Sequence, residues 1–352
     1  MIVLPRPRST SVGLYLLAAA LSTNCASAAE NPLADDPFQP ARCDPAKVLG
    51  VDSCLKCHAK EIEQWKTTPH FATFDSLHRS AEAKAIARKL GLRSVKRNDT
   101  CLKCHYTSQE VDGRNRVVAG VSCESCHGGA KDWIEMHSDY GGPEATRESE
   151  SPAHRAQRLQ HSIEAGMNNP ANLYLIARGC LACHTSPDEQ LVNVGGHVPG
   201  SDAFELVAWS QGMIRHNFLQ SGGTTNQAAG PARLRVMYVV GVLADLEASL
   251  RATALGTEKA TFAVTAAKRA ARQKKRLYEI TQLVDNPHIQ EALAAAMSAK
   301  LKLDNREALL AAAEGVGRAG FEFASTATGE DLAAVDPLLP AEADYKWTAT
   351  RP

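Results

Sequence analysis

The chain is poor in aromatic residues and has no surplus charge of either sign. Phe, Tyr and Trp make up 5% of its 352 residues, which is thin packing material for a protein of this size. Lys plus Arg equals Asp plus Glu at 39 each, so no global charge argues for nucleic acid or another polyanion. Long apolar runs are also missing. The stretches Val12–Leu21 and Val236–Leu243 fall short of the about 20 residues a spanning helix needs, which excludes a polytopic membrane protein. A hydrophobic content of 44% excludes disorder along the whole chain. Residues 1–29 contain no acid: Arg6 and Arg8 precede the short apolar run, and Ala26-Ser27-Ala28-Ala29 follows it. That order is a secretory signal peptide cleaved near residue 28 or 29, and it predicts a periplasmic protein.

Cysteine, by contrast, is abundant. Cys25 leaves with the signal peptide, and eight of the nine others form four copies of one pattern. These are Cys54-Leu-Lys-Cys57-His58, Cys101-Leu-Lys-Cys104-His105, Cys123-Glu-Ser-Cys126-His127 and Cys180-Leu-Ala-Cys183-His184. C-x-x-C-H is the attachment sequence of c-type haem: two thiols one helical turn apart add to the two vinyl groups, and the adjacent imidazole becomes the proximal iron ligand. A zinc ribbon gives no reason for a His after every pair. A thioredoxin-like pair would follow a strand in a βαβ pattern, which is absent. Disulfides suit an exported protein but do not explain four repeats of five residues. The expected cofactors are therefore four covalently attached haems, with Cys43 left over as a structural or unpaired thiol.

Four of the twelve histidines are used as proximal ligands, and six-coordinate haems need one more each. The remaining candidates are His70, His78, His137, His154, His161, His197, His216 and His288. His70 follows His58 through a helical stretch, which at about 1.5 Å per residue carries it well away from its own iron, so it would serve a neighbouring haem. The same holds for His137, ten residues beyond His127.

The segment C-x-x-C-H-x6-W-x4-H from Cys54 to His70 resembles the first haem segment of the tetrahaem cytochrome c-554 family. Gly120-Val121-Ser122 followed by the third motif, Gly128 and His137 is similar to the same family. The resemblance runs from about Cys54 to His184. It implies that His70 and His137 are distal ligands to haems bound elsewhere, with His137 facing the first haem. It also implies an open, five-coordinate haem on His105. The chain departs from the family just before the fourth motif, where Asn172–Arg178 lacks the ligand His. His197, in Gly195-Gly196-His197, and His216 are favoured for the remaining distal positions, with His161 in reserve; His78, His154 and His288 are read as surface residues.

The expected fold is mainly α: short helices and loops around four haems over residues 51–222, without recurring strand-like alternation. An irregular lead-in over 30–50 precedes it. An Ala-rich helical bundle over 231–323 follows, with helices at about 287–300 and 305–323, and 324–352 reads as a flexible tail. Lys268, Arg269, Arg272, Lys274, Lys275 and Arg276 read as a solvated helix face or a docking patch for an acidic redox partner. The functional expectation is a periplasmic tetrahaem cytochrome transferring electrons between protein partners, without an assigned catalytic residue. The alternatives are an oxidoreductase whose open haem acts on a small nitrogen species such as nitric oxide or hydroxylamine, and a structural haem subunit of a larger complex.

Overall fold

The computed structural model describes Met1, residues 43–201 and residues 203–346. The signal peptide, most of the lead-in and the last six residues lie outside the described residues.

The first part is a string of short helices: α1 (Leu55–Trp65), α2 (Pro69–Ser76), α3 (Ala81–Lys89) and α4 (Asp99–His105). Local signals set their ends. Thr68 caps α2 by accepting from Phe71 N, with Pro69 in the first turn, and Asn98 caps α4 by accepting from Thr100 N. Two antiparallel strands follow, β1 (Thr107–Val111) and β2 (Arg114–Ala119). This hairpin departs from the strand-free expectation. Its signal was Asp112-Gly113, whose φ values of 53° and 68° suit the tight turn that matches strand twist.

The helices α5 (Cys123–His127), α6 (Pro152–Glu164), α7 (Leu173–His184), α8 (Glu189–Asn193) and α9 (Leu206–Ser210) come next. The long helices α10 (Pro231–Leu255), α11 (Thr261–Thr281), α12 (Pro287–Met297) and α13 (Arg306–Thr326) follow. Helix α10 is buried from Val236 to Ala254, with α11 and α13 packed against it and α12 against α13. Helix α7, which carries the fourth motif, also packs on α10, and its Tyr174 and Leu181 share one apolar core with Leu243, Leu277 and Phe323.

A helix buried on every side has to pair its charges internally. Glu247 of α10 accepts from the Tyr174 hydroxyl at 2.8 Å and pairs with Arg251 at 2.8 Å. Asp245 accepts from Arg269 at 2.6 and 3.0 Å and from Gln273 at 2.7 Å. The basic run on α11 is therefore not one face. Arg269 points inward, Lys274 donates to the Ala299 carbonyl, and Lys268 and Lys275 are exposed.

The stretch beyond α13 differs from the expected tail. Residues Glu330–Leu338 form a 3-10 helix whose Leu332 and Val335 are fully buried, and Arg235 grips Asp336 at 2.7 and 2.8 Å. Lys346 N donates to Ala208 O at 2.9 Å. The prolines obscured this apolar spacing in the sequence.

Candidate functional site

Each Cys-x-x-Cys-His occupies about one helical turn that stops at its histidine. His105, His127 and His184 are the last residues of α4, α5 and α7, and His58 sits at a kink within α1 (φ −116°, ψ 35°). Spacing of three places both thiols of a motif on one side of its helix. After His127 the chain needs Gly128: its φ is 86°, and a Cβ there would collide with the Gly166 carbonyl.

Each motif histidine has one distant histidine across from it. His58 faces His137 with ring centres 6.3 Å apart, and His70 faces His184 at 6.3 Å. His105 faces His197 at 6.2 Å, and His127 faces His216 at 6.2 Å. Two imidazoles bound on opposite sides of one metal, each through a bond of about 2 Å, carry their ring centres about 6 Å apart. His78, His154, His161 and His288 belong to none of these pairs.

The ring nitrogens are oriented for that task. Nδ1 of His137 faces Ile134 O, Nδ1 of His197 lies 2.8 Å from Val198 O, and Nδ1 of His216 lies 2.7 Å from Ile214 O. A carbonyl accepting from Nδ1–H leaves Nε2 with the lone pair. Burial lowers the pKa of His105, His127 and His184 to about 4, and pushes His70 and His137 below the ordinary histidine value. All five are neutral near pH 7, the form that binds a metal.

The thiols show how the motifs neighbour one another. The Cys54 thiol is lowered to about 7, chiefly by a hydrogen bond with the Cys123 thiol, and the Cys104 thiol is lowered by Cys183. Burial raises Cys126 to about 11, and it raises Cys180, beside Cys126, to about 12. The first motif thus meets the third, the second meets the fourth, and Cys126 and Cys180 join the two halves.

Residues outside the motifs hold this arrangement. The buried Glu124 carboxylate, inside the third motif, accepts from Leu49 N at 2.9 Å, Gly50 N at 2.8 Å and Ala130 N at 2.9 Å. It ties the backbone just ahead of the first motif to the third. The half-buried Cys43 thiol donates to the Glu124 carbonyl at 2.6 Å, and burial pushes it up to about 12, so it is inert near neutral pH. Arg158 donates to the His137 carbonyl at 2.7 Å and grips Glu150 at 2.6 and 2.7 Å, while His154 lies 2.8 Å from the same carboxylate. Arg269 donates to the His184 carbonyl at 3.3 Å, and the His184 ring stacks on Phe204 at 4.8 Å. None of Glu124, Arg158 or Arg269 carries a motif signature in the sequence; their roles come from long-range contacts.

This donor set fits haem better than a bare ion. Among the described residues no three His, Cys, Asp or Glu side chains converge to hold a metal ion; the histidines come in twos. Two facing imidazoles with two thiols beside one of them would hold a haem between them, the imidazoles binding its iron and the thiols its vinyl groups. These features are those of c-type haem attachment sites. Residues 53–128 match the family described as "Cytochrome c554 and c-prime". The chain is 28% identical over 134 residues to cytochrome c-554 of Nitrosomonas europaea, a match covering 36% of this chain and 52% of that protein. The chain thus spans about half the length of the curated relative it matches. No solved structure matches the chain.

Proposed function

We propose that the protein is an exported tetrahaem c-type cytochrome that carries electrons between redox partners. In this reading the eight motif cysteines hold four haems as thioethers. His58, His105, His127 and His184 are the proximal ligands, and His137, His197, His216 and His70 are their respective distal ligands. One observation carries it: the ring separation of 6.2–6.3 Å recurs at all four motifs. Haem supplies one-electron chemistry when bound, and the chain sets its potential through ligation, burial and nearby charge. Leu55, Phe71 and Val198 adjoin Cys54, His70 and His197 and are exposed, so they offer apolar flanks to a macrocycle. Periplasmic placement rests on the signal sequence and on the attachment of c-type haem after export.

The position of His197 opposite His105 favours the carrier over the reading in which the haem on His105 stays open to a small nitrogen species. Electron paramagnetic resonance of the oxidised protein, with haem content from the pyridine haemochrome, tests both. Four haems per chain, all low-spin, are expected. A high-spin ferric signal that changes with nitric oxide or cyanide would establish an open site and overturn the fully paired assignment.

A further inference from the structure

The balanced overall charge conceals a one-sided segment beside the second motif. Residues 83–98 contain six cations, Lys84, Arg88, Lys89, Arg93, Lys96 and Arg97, and no acid. They lie on α3, on the loop after it and on the 3-10 turn Val95–Arg97. The inner sides of these elements, Ala87 and Val95, pack with Cys101 and Tyr106 in one small apolar cluster. The outer sides carry the charge. Lys84, Arg88, Lys89, Arg93 and Arg97 are exposed, and none forms an ion pair among the described residues. Lys96 is used differently, with its ammonium 3.7 Å from the centre of the Phe74 ring.

Helix α3 also touches the other half of the same centre. Ile86 and Leu90 lie against Gly195, and the Lys89 ammonium lies against Gly196, in the loop that presents His197. On that loop Val194 and Val198 are 57% and 64% exposed. The loop that presents His197 to His105 is therefore met by the cation Lys89, on the same helix as Lys84 and Arg88 and followed by Arg93 and Arg97, and it carries uncovered apolar side chains.

We propose that this face docks an acidic redox protein, and that electrons cross between the two proteins at the haem on His105; the proposal rests on the tetrahaem reading above. The α3 helix alone is about 13 Å long, so its cations and those of the following turn are spread wider than one small anion can bridge. Cations around exposed apolar side chains match the charged rim and apolar centre of a protein interface. Electron-carrier encounters are small in area and steered by complementary charge, which favours an acidic protein over a lipid surface. Helix α11 offers less: Arg269 is committed to Asp245 and Lys275 faces Glu279.

The test uses the haem-loaded protein and a reduced acidic [2Fe–2S] ferredoxin as electron donor, followed by stopped flow at low and high salt. The wild-type second-order rate should fall about tenfold or more as salt rises, within the range of electrostatic steering. The R88E/K89E/R93E variant should lose about tenfold at low salt, whereas K268E/K275E on α11 should retain the wild-type rate. Reduction by neutral lumiflavin semiquinone should be equal in all three, which separates docking from haem loss; failure to load haem at all would instead sink the tetrahaem reading. Equal ferredoxin rates in wild type and R88E/K89E/R93E overturn the proposal. So does salt-sensitive binding of the wild type to phosphatidylglycerol vesicles with no effect of the variant on ferredoxin rates, which assigns the face to a membrane surface.

Discussion

The rings of His58 and His137 lie within 26° of parallel, whereas those of His127 and His216 stand at 90°. Parallel axial imidazoles donate into the same iron d orbital and split it from its partner; perpendicular ones leave the two nearly degenerate. The oxidised protein should therefore show at least two kinds of low-spin signal. A rhombic species belongs to the first motif, and a strongly anisotropic one with a large maximal g value belongs to the third. H137M should remove the rhombic species and H216M the anisotropic one, while H161M changes neither. Loss of the same signal in H137M and H216M contradicts the pairing.

Glu124 should matter more to stability than its place between two cysteines suggests. Truncation orphans three backbone N–H groups that it now accepts from. E124A is expected to cost about 3 kcal/mol in denaturant unfolding. On the tetrahaem reading it should also weaken the coupling between the first and third haems, visible as altered spectral overlap of those two centres. Wild-type stability in E124A would show that water replaces the carboxylate without loss.

The pair Arg269–Asp245 should behave as a unit. R269Q leaves a buried carboxylate uncompensated and is expected to cost about 3–5 kcal/mol. The double variant D245N/R269Q should recover much of that loss. Because Arg269 also holds the His184 carbonyl, on the tetrahaem reading R269Q should lower the potential of one haem and leave the other three unmoved. Redox titration followed haem by haem checks this; four equal shifts would point to a global effect.

Acid should loosen the segment that carries His137. Arg158, and after it His154, hold Glu150 down to about 2 in the folded protein, against about 4.3 in an unfolded chain. A depressed folded pKa contributes stability that is fully present above the unfolded value and is lost as pH falls through the folded one. Between pH 5 and pH 2, stability should fall more steeply in wild type than in R158Q. Parallel curves would show that the ion pair contributes nothing.

The sequence makes some features of this molecule plain and hides others for definite reasons. The four motifs stand out because their chemistry is written in short spacings; His70 and His137 stand out through the family resemblance, and His197 and His216 only as favoured candidates among the histidines left over. That His70 meets His184 is set by how α2 packs against the segment Gly120–Ser122, a contact no local pattern encodes. Arg269 and Lys268 read as one basic cluster because they are neighbours in the chain, yet adjacent residues on a helix point about 100° apart, and one faces Asp245 while the other faces out. The cations of residues 83–98 form no compact block in the sequence because they are spread through a helix and a loop, and it is folding that sets Lys89 against the loop of His197.

The cross-chain pairing of histidines has a consequence for maturation. If the chain is exported as proposed, it presents the first motif long before His137 arrives, and His70 long before the fourth motif, when it emerges amino end first. On the tetrahaem reading, haem can be sewn to Cys54 and Cys57 at once, but its iron waits for a ligand from the middle of the chain. The Glu124 grip on Leu49 and Gly50 likewise closes only after the third motif is out. Assembly therefore lags behind emergence: on this reading the four centres can be completed only as His137, His184, His197 and His216 appear in turn, and a chain cut short after α4 would hold no iron with both its ligands.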